Sequence, residues 1–161
     1  MGELRVYLDS SAIVKRYVKE VGSDSVKAVY KKADTSGALL TFSLWNIGEV
    51  LGILDSYVKR KWINTDDFGS ALNAFAGETL RLARLMMLEV VPLTFDLLSE
   101  AWKIVLQYHV YQADALQIVA AKNLHADIFL SADQKLLEVA SEENMNSINV
   151  ELEEEKLLRM L

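Results

Sequence analysis

Short apolar segments alternate with longer segments of helical periodicity along the whole 161-residue chain. Between the short segments, apolar residues recur three and four positions apart, most clearly over residues 44–58. This alternation is typical of an α/β fold in which helical crossovers join parallel strands. We therefore predict one α/β domain over residues 1–161, with a central, mainly parallel sheet and helices on both faces. The predicted strands cover residues 4–8, 38–41, 89–93, 127–130 and 147–150.

Composition excludes several kinds of active site. The chain has no cysteine and two histidines, His109 and His125, so thiol nucleophiles, zinc-thiolate sites, disulfides and histidine-rich metal sites are ruled out. Most catalytic triads are excluded too, because they need a suitably placed base. The formal net charge of −6 argues against a general nucleic-acid coat protein. It remains compatible with an enzyme that reaches phosphates through bound divalent cations.

No segment of the sequence predicts membrane insertion or secretion. Residues 1–9 lack the long uncharged stretch of a signal peptide, and no apolar run approaches the roughly 20 residues of a membrane span. We therefore expect a cytoplasmic protein.

Four acidic residues, Asp9, Glu49, Asp114 and Asp133, lie where apolar segments meet a turn or a helix face. Three have ordinary local explanations, because aspartates often cap helices, favour their first turns or form tight turns. Glu49 is harder to explain, since it projects from a largely apolar helix. If the first and fourth strands are neighbours, Asp9 and Asp133 open into one crevice at the carboxyl ends of the strands. Four such placements indicate a shared cation site.

The predicted ligands are all oxygen atoms, which favours a hard cation such as Mg²⁺ or Mn²⁺. Such an ion can activate a bound water and stabilise negative charge on a phosphoryl group. Metal-assisted hydrolysis would then need no protein nucleophile.

Four stretches of the chain resemble a PIN domain, most closely the VapC group of toxin ribonucleases: YLDSSAIVK (residues 7–15), NIGEV (46–50), ADALQIVAA (113–121) and FLSAD (129–133). The resemblance implies an endoribonuclease dependent on Mg²⁺ or Mn²⁺, with a five-stranded sheet in which the first and fourth strands are adjacent. It also implies a homodimer and a small VapB-like antitoxin that inhibits the enzyme.

The resemblance assigns roles to particular residues. The catalytic, metal-binding set is Asp9, Glu49, Asp114 and Asp133. Ser11 and Ser131 match the hydroxyl positions that hold ligands or substrate through hydrogen bonds, whereas Ser10 is a less favoured participant.

Several other residues have two interpretations. Lys15 and Arg16 are candidate RNA-binding residues, although cations at a helix end or on a solvated helix face are common without that role. Base stacking is one interpretation of the three tryptophans, but packing in the core is favoured. An amphipathic helix over residues 151–161 either covers the sheet or serves a partner, with packing slightly favoured.

Two other functional classes compete with a nuclease. One is a non-catalytic PIN-like binding module that uses its acidic cleft to hold basic side chains of a protein partner. The other is a phosphotransfer fold of the receiver or haloacid-dehalogenase type, which also places an aspartate after the first strand. The second class is disfavoured, because Ser11 stands where a dehalogenase needs its second acid and no acidic pair accompanies Asp9, as receivers require.

Overall fold

The computed structural model describes residues 4–161, which form an alternating series of strands and helices. The predicted alternation of strands and helices is confirmed. In chain order the elements are β1 (Leu4–Leu8), α1 (Ser10–Val14), α2 (Ser23–Asp34), β2 (Ala38–Ser43), α3 (Leu44–Lys59), α4 (Thr65–Arg84), β3 (Leu88–Val91), α5 (Phe95–Tyr108), α6 (Gln112–Asn123), β4 (Ile128–Ser131), α7 (Gln134–Glu142), β5 (Ser147–Asn149) and α8 (Glu154–Met160).

The five strands form one sheet in the order β3-β2-β1-β4-β5, and every neighbouring pair is parallel. This confirms the predicted five-stranded sheet and the adjacency of the first and fourth strands. After β1 the chain adds β2 and β3 on one side, and it then returns to add β4 and β5 on the other. The direction of strand addition thus reverses between β1 and β4, and ligand sites in open α/β sheets lie at the carboxyl ends of the strands at such a point.

Helices cover both faces of the sheet, as predicted. Alternate residues of β1 point to opposite faces, so Val6 and Leu8 join one apolar cluster while Tyr7 joins the other. The first cluster includes residues from α1, α2, α3, α4 and α8, and the second includes residues from α5, α6 and α7. Because both faces are covered, the central strands are buried almost throughout.

The long helix α4 begins with a reciprocal pair of capping hydrogen bonds. The Asp67 backbone N–H donates to Asn64 Oδ1 over 2.8 Å, and the Asn64 backbone N–H donates to Asp67 Oδ2 over 3.3 Å. Two N–H groups at the start of α4 are thus satisfied by side chains.

The terminal helix α8 packs against the rest of the domain, which is the alternative that the sequence slightly favoured. Leu157 is fully buried and α8 contacts α2 and β5. The segment before α8 is also held, because Lys15 Nζ donates to Glu151 Oε1 over 2.6 Å. No helix within residues 4–161 is long and apolar enough to cross a bilayer.

The expectation that the tryptophans pack in the core is wrong. Trp45, Trp62 and Trp102 are 43%, 63% and 46% exposed. Trp45 and Trp102 lie on the outer sides of α3 and α5, and Trp62 lies in the loop between α3 and α4.

Candidate active site

Asp9 lies at the end of β1 and caps α1 in a buried setting, with 4% of its surface exposed. Its Oδ1 accepts hydrogen bonds from the Ala12 backbone N–H at 2.9 Å and from Ser11 Oγ at 2.7 Å. Its Oδ2 accepts from Ser131 Oγ at 2.8 Å. Burial nevertheless raises the pKa of Asp9 to about 6, and the nearby Glu49 charge contributes to the rise.

Ser11 and Ser131 connect the ends of β1 and β4. Ser11 Oγ accepts from the Ala132 backbone N–H, and Ser131 Oγ accepts from the Asp133 backbone N–H, each over 2.8 Å. The two hydroxyl oxygens are 3.3 Å apart. Both hydroxyls therefore lie beside Asp9, as the resemblance implied, and they fix the loop that carries Asp133.

Glu49 projects from α3 and is half-buried. Ser10 Oγ donates to Glu49 Oε2 over 2.5 Å, and Gln117 Nε2 donates to the same oxygen over 3.2 Å. Ser10 therefore contacts the candidate site directly, although the sequence did not favour it as a participant. Gln117 was not identified from the sequence, although a glutamine one helical turn after Asp114 in an otherwise apolar run was a usable signal.

Asp114 and Asp133 lie at the starts of two helices. Asp114 is in the first turn of α6, where its pKa is raised by partial burial and by the charges of Asp133 and Glu49, while Lys135 acts in the opposite direction. Asp133 is exposed and caps α7, with Oδ1 accepting from the Leu136 backbone N–H over 3.2 Å. The capping role expected from its local sequence is therefore real.

The charges of the four carboxylates influence one another, but the side chains do not form a complete metal-binding site. The charge of Glu49 raises the pKa values of both Asp9 and Asp114, and the charge of Asp133 raises the pKa of Asp114 further. Within residues 4–161, however, no three acidic or histidine side chains are close enough together to hold an ion as they stand.

The candidate ligands are nevertheless of the chemical type that binds a divalent cation. All candidate ligands are carboxylate oxygens, and a cation would relieve both the burial cost at Asp9 and the repulsion around Asp114. Completing the coordination requires side-chain movement, which is open to Asp114 and Asp133 because both are accessible to solvent.

Lys15 and Arg16, the candidate RNA-binding residues, are both paired with acidic side chains of the protein. Lys15 is 4% exposed and is paired with Glu151 and Glu20. Arg16 makes a two-pronged ion pair with Glu78, at 3.0 and 2.8 Å. The Lys15 charge is neutralised in a buried setting, which disfavours contact with a phosphate, whereas the ion-paired Arg16 side chain remains 25% exposed.

Lys135 is a cation beside the candidate site that was not identified from the sequence. It is exposed in the first turn of α7, two residues after Asp133, and it acts electrostatically on Asp114. Its proximity to the last aspartate in the sequence was the signal that could have identified it.

Comparison with known proteins agrees with this architecture. The family model for the PIN domain matches residues 6–142. The chain belongs to the PIN domain family. The match includes all four stretches that carried the resemblance, whereas β5 and α8 lie beyond it. No curated protein matches the sequence.

Solved structures show that the PIN fold extends over nearly the whole chain. FitAcB from Neisseria gonorrhoeae is 13% identical with a TM-score of 0.63, covering 90% of this chain and 97% of its own. VapBC2 from Rickettsia felis, bound to a DNA fragment from its promoter, is 14% identical with a TM-score of 0.60, covering 91% and 98%. VapC20 from Mycobacterium tuberculosis, a Sarcin-Ricin loop cleaving toxin, is 14% identical with a TM-score of 0.61, covering 87% and 95%. At these identities the similarity is one of fold.

Proposed function

We propose that this PIN domain is a divalent-metal-dependent endoribonuclease that hydrolyses RNA phosphodiesters. The main support is the electrostatic coupling among Asp9, Glu49, Asp114 and Asp133 near the carboxyl ends of β1 and β4, which a bound cation would relieve. These four residues form the proposed catalytic and ligand set for Mg²⁺ or Mn²⁺. Cellular RNA as the substrate implies a cytoplasmic enzyme.

Each residue of the site has a distinct task in this proposal. A bound Mg²⁺ or Mn²⁺ would supply an activated water and stabilise charge on the phosphoryl oxygens. The hydroxyls of Ser11 and Ser131 hold the Asp9 carboxylate in one orientation. Lys135, exposed at the rim, attracts the RNA backbone and offsets the acidity of the crevice.

The decisive experiment compares two aspartates that occupy similar places in different helices. Asp114 is in the first turn of α6, and Asp96 is in the first turn of α5. Asp114→Asn should lower Mn²⁺-stimulated RNA cleavage about 100-fold or more, because it removes a proposed ligand, whereas Asp96→Asn should cleave like the wild type. Cleavage by purified Asp114→Asn at the wild-type rate would rule out the assignment.

We further propose that the enzyme is the toxin of a type II toxin-antitoxin pair, with a small VapB-like antitoxin as its partner. The structural neighbours include the VapBC2 complex and the toxin VapC20. An open groove of about 480 Å³ supports a protein partner, since it combines apolar side chains such as the exposed Trp62 with the charged Lys19 and Asp67. Induced expression should arrest bacterial growth, and expression of Asp114→Asn at the same level should not. Equal growth inhibition by both proteins would contradict a toxic nuclease activity.

The proposed homodimer is supported by an exposed apolar stripe on α5. Phe95, Trp102 and Leu106 are 72%, 46% and 76% exposed, and the rings of Phe95 and Trp102 meet edge to face with centroids 6.0 Å apart. A stripe of this kind is typical of a surface that another protein covers. Light scattering should give twice the chain mass, and Trp102→Glu should shift the protein toward a monomer. A monomeric wild type at micromolar concentration would contradict the dimer.

One observation favours a second candidate function, a non-catalytic module that binds a basic segment of a protein partner. Three acidic side chains do not come close enough to hold an ion anywhere in the described residues 4–161. Calorimetry separates the two functions. Mn²⁺ binding that is lost in Asp114→Asn supports the nuclease, whereas no divalent-ion binding together with tight partner binding supports the module.

A further inference from the structure

The Glu49 carboxylate is held at one of its two oxygens. Ser10 and Gln117 both donate to Oε2, at 2.5 and 3.2 Å. Within residues 4–161, no protein group donates a hydrogen bond to Oε1 of this side chain. One oxygen is therefore fixed by protein donors while the other remains available to an external ligand.

Both donors to Glu49 are themselves oriented by Asn46, which is fully buried one helical turn earlier on α3. The two hydrogens of Asn46 Nδ2 are shared between Ser10 Oγ at 2.8 Å and Gln117 Oε1 at 2.9 Å. The Ser10 hydroxyl must then direct its own hydrogen elsewhere, and the Gln117 amide must turn its Nε2 toward Glu49. A single side chain thus sets the direction of both hydrogen bonds to Oε2.

The orientation of the Asn46 amide is fixed from its other end. Asn46 Oδ1 accepts from the Ser43 backbone N–H at 2.8 Å, from Ser43 Oγ at 2.9 Å and from Tyr7 Oη at 3.1 Å. A backbone N–H can only donate, so the oxygen of the amide must face it. The amide cannot reverse without losing these three bonds.

We propose that Asn46, Ser10 and Gln117 form a positioning relay that orients Glu49, fixing Oε2 and leaving Oε1 for a divalent cation. Asn46 and Gln117 are 0% and 3% exposed, so these residues act through Glu49 rather than on the substrate. In each link the hydrogen points toward Glu49, which makes this carboxylate the final acceptor. The inference rests on the proposed metal-dependent function.

Two serine variants separate this role from ordinary structural support. Ser10 and Ser43 are both buried, at 5% and 0% exposure, and each hydroxyl is hydrogen-bonded to Asn46, but on opposite sides of the amide. Ser10→Ala removes a donor to Glu49. Ser43→Ala leaves both donors to Glu49 in place, because the Ser43 backbone N–H and Tyr7 Oη still fix the Asn46 amide. Calorimetric titration with Mn²⁺ should show affinity about 10- to 100-fold weaker for Ser10→Ala. Ser43→Ala should remain within about twofold of the wild type.

Two further measurements show whether Ser10 acts through Glu49. In a Glu49→Gln background, adding Ser10→Ala should change Mn²⁺ affinity by no more than about twofold, because the carboxylate that it orients is gone. At saturating Mn²⁺, kcat for RNA cleavage by Ser10→Ala should approach the wild-type value. Asn46→Ala should lose at least as much Mn²⁺ affinity as Ser10→Ala, and if it does not fold, the serine variants alone decide the result.

The outcomes distinguish the relay from the function on which it rests. Equal Mn²⁺ affinities for Ser10→Ala and Ser43→Ala, or an undiminished Ser10→Ala effect in the Glu49→Gln background, would overturn the relay alone. A wild-type protein that binds no Mn²⁺ would overturn the metal-dependent function, and the relay with it.

Discussion

The burial of Asp9 predicts a specific pH dependence of folding stability in the absence of metal. The pKa of Asp9 rises from 3.8 to about 6 on folding, chiefly because burial disfavours its charged form. The folded protein therefore binds the Asp9 proton more tightly than the unfolded chain does. The stability from this linkage is fully present below about pH 3.8, and it is lost as the pH rises through 6.

The size of the change in folding stability follows from the pKa shift of Asp9. Each pKa unit corresponds to 1.36 kcal/mol, so a rise of about two units corresponds to about 3 kcal/mol over the whole titration. Most of this change, about 2 to 3 kcal/mol, falls between pH 4 and pH 7. The Asp9→Asn variant has no carboxyl to titrate, and any hydrogen bonds that it loses to Ser11 or Ser131 change its stability similarly at every pH.

Urea unfolding in EDTA at unit intervals from pH 4 to pH 7 measures this effect. The free energy of unfolding of the wild type, minus that of Asp9→Asn, should fall by about 2 to 3 kcal/mol across the range. The variant carries all of the other titrating groups of the protein, so the subtraction leaves Asp9 as the main contributor. A difference that stays constant, or that rises with pH, would refute the argument that burial dominates at this carboxyl.

Four other measurements test separate parts of the structure. Magnesium at about 100 times its dissociation constant should stabilise the wild type by about 2.7 kcal/mol in thermal-shift experiments, and a comparable gain in Asp9→Asn would contradict its ligand role. Leu157→Ala should cost about 2 to 5 kcal/mol in urea unfolding, because it leaves a cavity under α8, and a cost well below 1 kcal/mol would show that α8 is not part of the core. Asn64→Ala should lower stability by about 1 kcal/mol with an unchanged urea m-value through loss of the α4 cap, and an unchanged midpoint would contradict this. Lys15→Met should leave the salt dependence of the RNA KM unchanged, because this cation is occupied by Glu151, and a shallower dependence would restore Lys15 as a phosphate contact.

The order of elements and the positions of the acids were predictable because they depend on local patterns. Asp9 and Asp133 follow apolar strands, and parallel strands bring their carboxyl ends to one edge of the sheet. Glu49 was recognisable as a charge on a largely apolar helix. The sequence also predicted that these acids would share a crevice, and the electrostatic coupling around Asp114 is consistent with this.

Interactions between distant residues could not be predicted from the same patterns. Lys15 and Arg16 lie six and seven residues after Asp9, which suggested a role in binding RNA beside the site. Their partners, Glu151 and Glu78, lie 136 and 62 residues away, and only the folded chain brings them together. The role of Ser10 was missed for a related reason, since its contact with Glu49 depends on how α1 packs against α3.

The tryptophans show a limit of composition-based reasoning. Large aromatics are usually buried, yet all three tryptophans of this chain are at least 43% exposed. A helix packed on a sheet buries one side only, so the exposure of Trp102 depends on which side of α5 meets the sheet. In addition, the sequence does not reveal whether a partner covers the residue.

The place of β1 at the centre of the sheet has a consequence for the synthesis of the protein. Strand β1 can pair with β2 early, but its other neighbour, β4, is 122 residues further along the chain, as is the hydroxyl of Ser131 that binds Asp9. Contacts across such a separation form late, because a long loop must close first. A ribosome-bound chain that has not yet emerged past Ser131 has Asp9 in place but lacks the loop that completes the site. An enzyme of the proposed type would therefore stay inactive while it is being made, at the moment when it is nearest to ribosomal and messenger RNA.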